Sequence, residues 1–245
     1  MDRKIATPLM VLNYVSMLQQ QNKFEDSFKV FERAINIFQW PNSYEIWLTY
    51  ISTFIQVVGG TKVERVRHLF EECLSECPSD KQKTFLLMYA DYEENFGLLS
   101  HAMEIYERAA TKVTDNNIDM WNVYLSKVMQ YYGASRCRSV YQKALKVLQG
   151  TDLVLITLRF AKLERKLNEH DRARAIYLHL SQYCNPAIYE DSFWKVWESF
   201  ELQFGNKDTY EDLLRAKRSQ ELRYSVINPL KVDQSDLQGE VNAVI

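Results

Sequence analysis

Between Leu86 and Val113 the chain carries two successive amphipathic patterns. In the first, Leu86, Tyr89, Glu93 and Phe96 fall at the three-and-four spacing that brings side chains onto one helical face. In the second, Ala102, Tyr106, Ala109 and Val113 do the same. Between them stands Gly97, a residue type that closes a helix in the left-handed conformation without a Cβ penalty. The pattern predicts a helical hairpin. Its apolar stripes are too small to bury each other completely, so it must stack on copies of itself.

The copies are present. The position of Tyr89, here called the helix-A mark, recurs as Tyr14, Tyr50, Tyr89, Tyr124, Phe160 and Trp197, at steps of 36, 39, 35, 36 and 37. The position of Tyr106, the helix-B mark, recurs as Phe31, Phe70, Tyr106, Tyr141, Tyr177 and Leu214, at steps of 39, 36, 35, 36 and 37. Shortly after each helix-A mark comes Asn22, Gly59, Gly97, Gly133, Asn168 or Gly205, residue types that tolerate a left-handed cap. A two-helix unit repeating at this period predicts an all-α fold, an alpha-alpha superhelix of about six hairpins in which each unit contacts mainly its neighbours. The expected repeats are residues 8–40, 43–78, 81–114, 117–149, 152–186 and 191–224. They form one array, 1–224, and a flexible tail follows over 225–245.

Individual repeats sharpen the register. Pro8 suits a first helical turn, with Val11, Tyr14 and Leu18 expected to face inward. Trp47, Trp121 and Trp194 precede their helix-A marks by one turn, where the fifth repeat has Thr157. Pro41, Pro78 and Pro186 are each expected to follow a helix B. On helix B small residues flank the mark, notably Ala102 and Ala109, Ala144 and Ala173, and these would let helices approach to about 8 Å. Tyr210 and Lys217 replace them in the last repeat, as expected of a terminal unit whose outer face meets water or another segment.

Composition narrows the function classes. The 245 residues are 47% hydrophobic and 25% charged, an ordinary soluble balance, and the 13% aromatic content is used by the repeat marks. A formal net charge of −2 supplies no global field toward nucleic acid or an anionic membrane, so proteins are the expected partners. No apolar run approaches the roughly 20 residues that span a bilayer, and the first residues lack a signal-peptide core. No membrane partner is expected. Cys73, Cys77, Cys137 and Cys184 fall in or at the end of predicted B helices, which fits a reducing cytosolic or nuclear compartment.

Candidate chemistry is sparse. Cys73 and Cys77 with His68 lack metal-knuckle spacing, and His101, His170 and His179 have no nucleophile or ligand pattern beside them, so no metal is expected. Glu93, Glu164 and Glu201 stand four residues after their helix-A marks. Three copies of one acid indicate a repeated structural hydrogen bond or ion pair rather than a catalytic constellation. Gly59-Gly60-Thr61-Lys62 lacks phosphate-loop spacing and reads as a turn. Lys62, Arg65 and Arg67, Arg136 and Arg138, Arg172 and Arg174, and Arg215, Lys217, Arg218 and Arg223 could align as a discontinuous basic edge toward RNA phosphates. The plain alternative is a solvated face balanced by the 32 acids. No catalytic residue, cofactor or small-molecule substrate is expected.

Aromatic-x-x-aromatic in helix A followed by Ala-x-x-x-Tyr-Glu-Arg-Ala in helix B resembles the half-a-TPR, or HAT, repeat. Ala102 to Ala109 carries the helix-B motif in full, Phe31-Glu32-Arg33-Ala34 and Tyr141-Gln142-Lys143-Ala144 carry variants, and Tyr177-Leu178-His179-Leu180 departs. The strings between the marks, among them Ile46-Trp47, His101-Ala102-Met103 and Asp171-Arg172-Ala173-Arg174, are similar to the Syf and XPA-binding-protein branch of pre-mRNA splicing factors. Members of that branch are longer, so the chain resembles a C-terminal portion. The resemblance implies a nuclear, non-enzymatic scaffold in the NineTeen-associated part of the spliceosome. It implies partners among crooked-neck-like HAT scaffolds and NineTeen-complex subunits, leaves room for weak snRNA or intron contact, and implies a link to transcription-coupled DNA repair. The rival readings are a HAT scaffold of messenger-RNA 3′-end cleavage and a TPR-type peptide-binding module.

Overall fold

The computed structural model describes residues 7–112 and 117–227. Val113 and most of the expected tail, 228–245, lie outside them. Every regular element in the described residues is helical. By backbone contacts the chain falls into two compact units, Met1–Val128 and Met129–Ile245.

The first unit begins with α1 (Pro8–Gln20) and α2 (Phe24–Ile37). Pro8 occupies the first turn of α1, where its missing N–H costs nothing, and the Thr7 hydroxyl accepts from Met10 N at 3.3 Å. Asn22, at φ 58°, turns the chain in the left-handed region. Next come α3 (Tyr44–Val58) and α4 (Val63–Glu76), with Gly59 at φ 53° between them. The pair α5 (Ser79–Phe96) and α6 (Leu99–Lys112) follows, then the first part of α7 (Asn117–Val147). The core is aromatic: Phe31, Trp47, Tyr50, Phe70, Tyr89 and Trp121 are all buried.

The second unit takes the rest of α7, whose helix is interrupted at Gly133 (φ 73°, ψ −173°), and then α8 (Gly150–Lys166) and α9 (His170–Ser181). Asn168, at φ 59°, makes the turn between α8 and α9. The last hairpin starts earlier than expected. Pro186 does not merely end the preceding helix but opens α10 (Pro186–Tyr189), capped by Asn185 Oδ1 accepting from Ala187 N at 3.0 Å. A π-helical turn, Glu190–Trp194, leads into α11 (Lys195–Phe204). The final helix, α12, runs Lys207–Ile227, past residue 225 where the tail was expected to begin. Trp194, Trp197 and Phe200 fill this unit's core.

Three expectations need correction. Tyr14, placed on the inward face, is 47% exposed, and α1 buries Val11, Val15 and Leu18 instead. Phe96, also placed inward, is 47% exposed at the end of α5. Gly97 (φ −112°) and Gly205 (φ −94°) are not left-handed caps. Glycine is needed there for space: a Cβ at Gly97 would collide with the Glu93 carboxylate, and one at Gly205 with the Glu201 carboxylate and, at 2.6 Å, the Thr209 hydroxyl.

Candidate functional site: repeat interfaces and the surfaces they hold

Four of the six helix-B marks stack on the next helix-A mark along the chain. Phe31 stacks on Tyr50 with ring centroids 5.0 Å apart, Phe70 on Tyr89 at 4.6 Å, Tyr141 on Phe160 at 4.7 Å and Tyr177 on Trp197 at 6.1 Å, with interplanar angles of 21°, 8°, 7° and 14°. Such pairs contribute about 0.5–1.5 kcal/mol beyond the area they bury. The flanking marks Ala102, Tyr106, Ala109, Tyr124, Ala144, Ala173 and Trp194 are buried as well, the alanines allowing close helix approach.

A second pair of stations lies beside the rings. The residue three before the helix-B mark faces the residue four after the next helix-A mark. Arg67 meets Glu93, Arg138 meets Glu164 and Arg174 meets Glu201, at sequence separations of 26, 26 and 27. Arg67 Nε and a terminal guanidinium nitrogen donate to the two Glu93 oxygens at 2.7 and 2.8 Å, and Arg138 does the same to Glu164 at 2.7 and 2.9 Å. Arg174 Nε is shared between the Glu201 oxygens at 3.0 and 3.2 Å. The glutamates are buried while the arginines keep partial contact with water. At the first interface the same stations hold Phe28 and Phe54, with centroids 5.0 Å apart.

Buried carboxylates need compensation, and Glu93 is the best supplied. Burial pushes its carboxyl up, but the Arg67 guanidinium, the Leu98 amide donating at 3.1 Å and the His101 ring outweigh burial and hold it below the usual carboxylate range. The hydrogen bond to Glu93 in turn raises Arg67. Glu201 also accepts from Trp197 Nε1 at 3.1 Å. One residue after the helix-B mark stands another acid: Glu32 accepts from the Tyr50 hydroxyl at 3.4 Å, and Glu107 from Tyr124 at 3.2 Å.

These pairings change the reading of the basic clusters. Arg67, Arg138 and Arg174 turn inward to glutamates, Arg65 donates to Glu32 at 3.0 Å, and Arg172 lies 3.9 Å from Glu169. Arg215 pairs with Glu211 and Asp212, Lys217 with Glu190 at 2.6 Å, and Arg223 donates to the Gln182 carbonyl at 3.3 Å. Arg67, Arg138 and Arg174 are therefore internal bracing, whereas Arg65, Arg172 and Arg215 sit in solvent-exposed pairs. The acid series is visible in the sequence, but its arginine partners appear there only as surface charge. Their fixed offset from the helix-B mark was the missed signal.

The remaining candidates are quiet chemically. Cys73, Cys77, Cys137 and Cys184 are buried, and burial pushes the thiols up, to about 11 for Cys77 and about 12 for Cys184. That is the opposite of a reactive thiolate. His68 is exposed and lies 3.6 Å from Glu72, and His179 packs against Tyr183. His170 stacks on Phe204 with centroids 4.4 Å apart. Among the described residues no group of three or more His, Cys, Asp and Glu side chains gathers as a ligand set. No helix of the described residues is long and apolar enough to cross a membrane.

Two open clefts occupy equivalent places, between the start of one helix B and the turn of the next hairpin. One, about 640 Å3, has Phe24, Phe28, Phe54 and Val57 on its walls and Lys29 and Lys62 at its rim. The other, about 390 Å3, is formed by His170, Asp171, Arg174, Phe204, Asn206 and Thr209. Both are shallow and mixed in polarity, which suits contact with a macromolecule better than enclosure of a small molecule.

The family description "Pre-mRNA-splicing factor Syf1/CRNKL1 C-terminal HAT repeat" matches residues 1–243. Over 225 residues the chain is 44% identical to "Pre-mRNA-splicing factor syf1 homolog" of Drosophila melanogaster, covering 91% of this chain and 25% of that protein. It is 45% identical to "Pre-mRNA-splicing factor SYF1" of Homo sapiens, covering 92% of this chain and 26% of that protein. With "Pre-mRNA-splicing factor cwf3" of Schizosaccharomyces pombe the identity is 44%, over 91% of this chain and 28% of that protein. The chain thus spans about a quarter of the length of these curated relatives. Helical hairpins joined through ring-stacked marks, and a match over nearly the whole sequence, lead to one assignment: the chain belongs to the Syf1/CRNKL1 C-terminal HAT-repeat family of pre-mRNA-splicing factors.

Proposed function

We propose that this chain is a non-catalytic scaffold acting in pre-mRNA splicing, in the nucleus, within the NineTeen-associated part of the spliceosome. The observation that carries the reading is the paired use of ring stacks and buried Arg–Glu bridges between successive hairpins. Such bracing holds helix faces at fixed spacing, so exposed residues on neighbouring repeats can engage a partner together. Names of relatives that share 44–45% of aligned residues supply the process. The partners in this reading are other spliceosomal proteins, including crooked-neck-like HAT scaffolds and NineTeen-complex subunits. RNA contact is secondary, because Arg67, Arg138 and Arg174 are committed to buried glutamates.

The test is affinity purification of the tagged chain from nuclear extract, followed by mass spectrometry. Spliceosomal proteins recovered by the wild-type chain, and lost with a variant whose interfaces are broken by Arg138→Glu and Arg174→Glu, are the expected result. Recovery of 3′-end cleavage factors instead, or a turnover abolished by a single Glu or His substitution, would overturn it.

A further inference from the structure

The outward side of the A helices repeats as well. Two residues past the helix-A mark the chain reads Ser16, Ser52, Asp91, Ser126, Lys162 and Ser199, and six past it Gln20, Gln56, Asn95, Gln130, Lys166 and Gln203. All are exposed except Ser52, which is half-buried. Water alone asks for no particular polar residue on a helix face, yet four hairpins of six carry serine and glutamine at these two places. The exceptions go opposite ways: the third hairpin brings a carboxylate, the fifth two lysines.

In the first unit these stations come together. A cleft of about 230 Å3 lies between α3 and α5, with Ser52 and Gln56 on one wall, Asp91 and Asn95 on the other, and Met88 and Phe96 beside them. Ser52 Oγ donates to the Leu48 carbonyl at 2.7 Å, and Asn95 Nδ2 to the Asp91 carbonyl at 2.9 Å. What these walls hold in reserve is therefore mainly acceptor oxygen. No lysine or arginine lines the cleft. The next two acids, Glu93 and Glu94, are served by Arg67 and Lys127, whereas among the described residues no cation pairs with the Asp91 carboxylate. The Phe96 ring that borders the cleft is 47% exposed.

An acceptor-lined cleft with a spare carboxylate and an open ring asks for a cationic donor with a flat face. Guanidinium is that group: it carries five N–H donors and no acceptor, and it stacks on aromatic rings. An ammonium has neither the fork nor the plane. Phosphate, the group RNA would present, is an anion and an acceptor, and the cleft offers it no cation. Met88 and Ile55 suit the methylene stem of a long basic side chain.

We infer that the α3–α5 cleft receives an arginine side chain of a partner protein, with its guanidinium on Asp91 and Gln56 and against the Phe96 ring. The inference rests on reading the chain as a protein-binding scaffold and names the chemistry of one contact on it. The fifth hairpin is the contrast within the same chain, since Lys162 and Lys166 at the equivalent stations would repel an arginine.

The probe is the peptide acetyl-Ala-Arg-Ala-amide, titrated into the isotope-labelled full chain and followed by backbone amide shifts. Saturable shifts at Ser52, Gln56, Asp91 and Asn95 are expected, with none from the Ala-Gln-Ala analogue and weaker ones from Ala-Lys-Ala. Asp91→Asn should weaken binding about tenfold or more, the worth of one charge-assisted hydrogen bond. Gln56→Lys, which imports the residue type of the fifth hairpin, should abolish it. Both positions are exposed, so circular dichroism should be unchanged. Absence of shifts at these residues, equal affinity for either analogue, or binding untouched by Asp91→Asn overturns the inference. So does an oligouridylate that shifts the same residues where the arginine peptide does not. None of these results bears on the splicing reading, which recovery of spliceosomal proteins decides separately.

Discussion

The Phe70 and Tyr89 rings lie nearly parallel, 8° apart in plane and 4.6 Å between centroids, joining helix B of one hairpin to helix A of the next. Tyr141 and Phe160 repeat this geometry at 4.7 Å and 7°. The two aromatic series of the sequence are thus two halves of one contact, so both series keep the same period.

Tyr89→Ala is expected to lower stability by about 3–5 kcal/mol, as large-to-small changes in a packed core do. Tyr14→Ala, at the equivalent place on α1, should cost under about 1 kcal/mol, because its ring is half in water already. Urea unfolding of the two variants checks this. Similar midpoint shifts would contradict the burial difference.

The Arg67–Glu93 bridge should behave as a buried pair. Arg67→Met alone leaves the buried Glu93 carboxylate without its main partner and should cost about 3–5 kcal/mol, and Glu93→Leu alone should cost less, because Arg67 keeps contact with water and its bond to Glu64 at 2.8 Å. The double variant should recover most of that loss, since Phe28 and Phe54 already show the stations tolerating an apolar pair. A double-mutant cycle with additive costs would refute the coupling.

Because the folded chain holds the Glu93 carboxyl below its ordinary value, its protonation opposes folding. The stability it contributes is fully present above the unfolded-state value, about pH 4.3, and is lost as pH falls through the lower folded-state value. Melting temperature measured from about pH 5 downward should fall less steeply for Glu93→Gln than for wild type. Parallel curves would rule out this role.

Gly97→Ala tests glycine as space rather than as a turn. Its φ of −112° is open to alanine, so any cost comes from the Cβ meeting the Glu93 carboxylate, roughly 1–3 kcal/mol as for overpacking. In a Glu93→Ala background most of that cost should vanish. Gly59→Ala, with nothing near its Cβ but φ at 53°, should instead cost about 1–2 kcal/mol in any background. Thermal melts of the four variants separate the two causes.

Trp47, Tyr50, Tyr89 and Trp197 were legible because burial in a helical stack imposes a local, periodic signature: three-and-four spacing within a helix, and a recurrence near 36 residues between hairpins. Asn22 and Asn168 were legible for a similar reason, since a left-handed turn is a property of a few consecutive residues. The same logic misled at Gly97 and Gly205, where glycine answers to a carboxylate and not to φ.

Position along the chain therefore determined the all-helical repeat, its register and its family likeness, because each depends on spacing between residues close in sequence. Only the tertiary structure decided that Arg67 belongs to Glu93 and not to solvent, that Phe96 faces outward, and that Tyr14 is left uncovered. Those outcomes depend on what stands opposite a side chain once hairpins stack, and a helical pattern names a face without naming its neighbour.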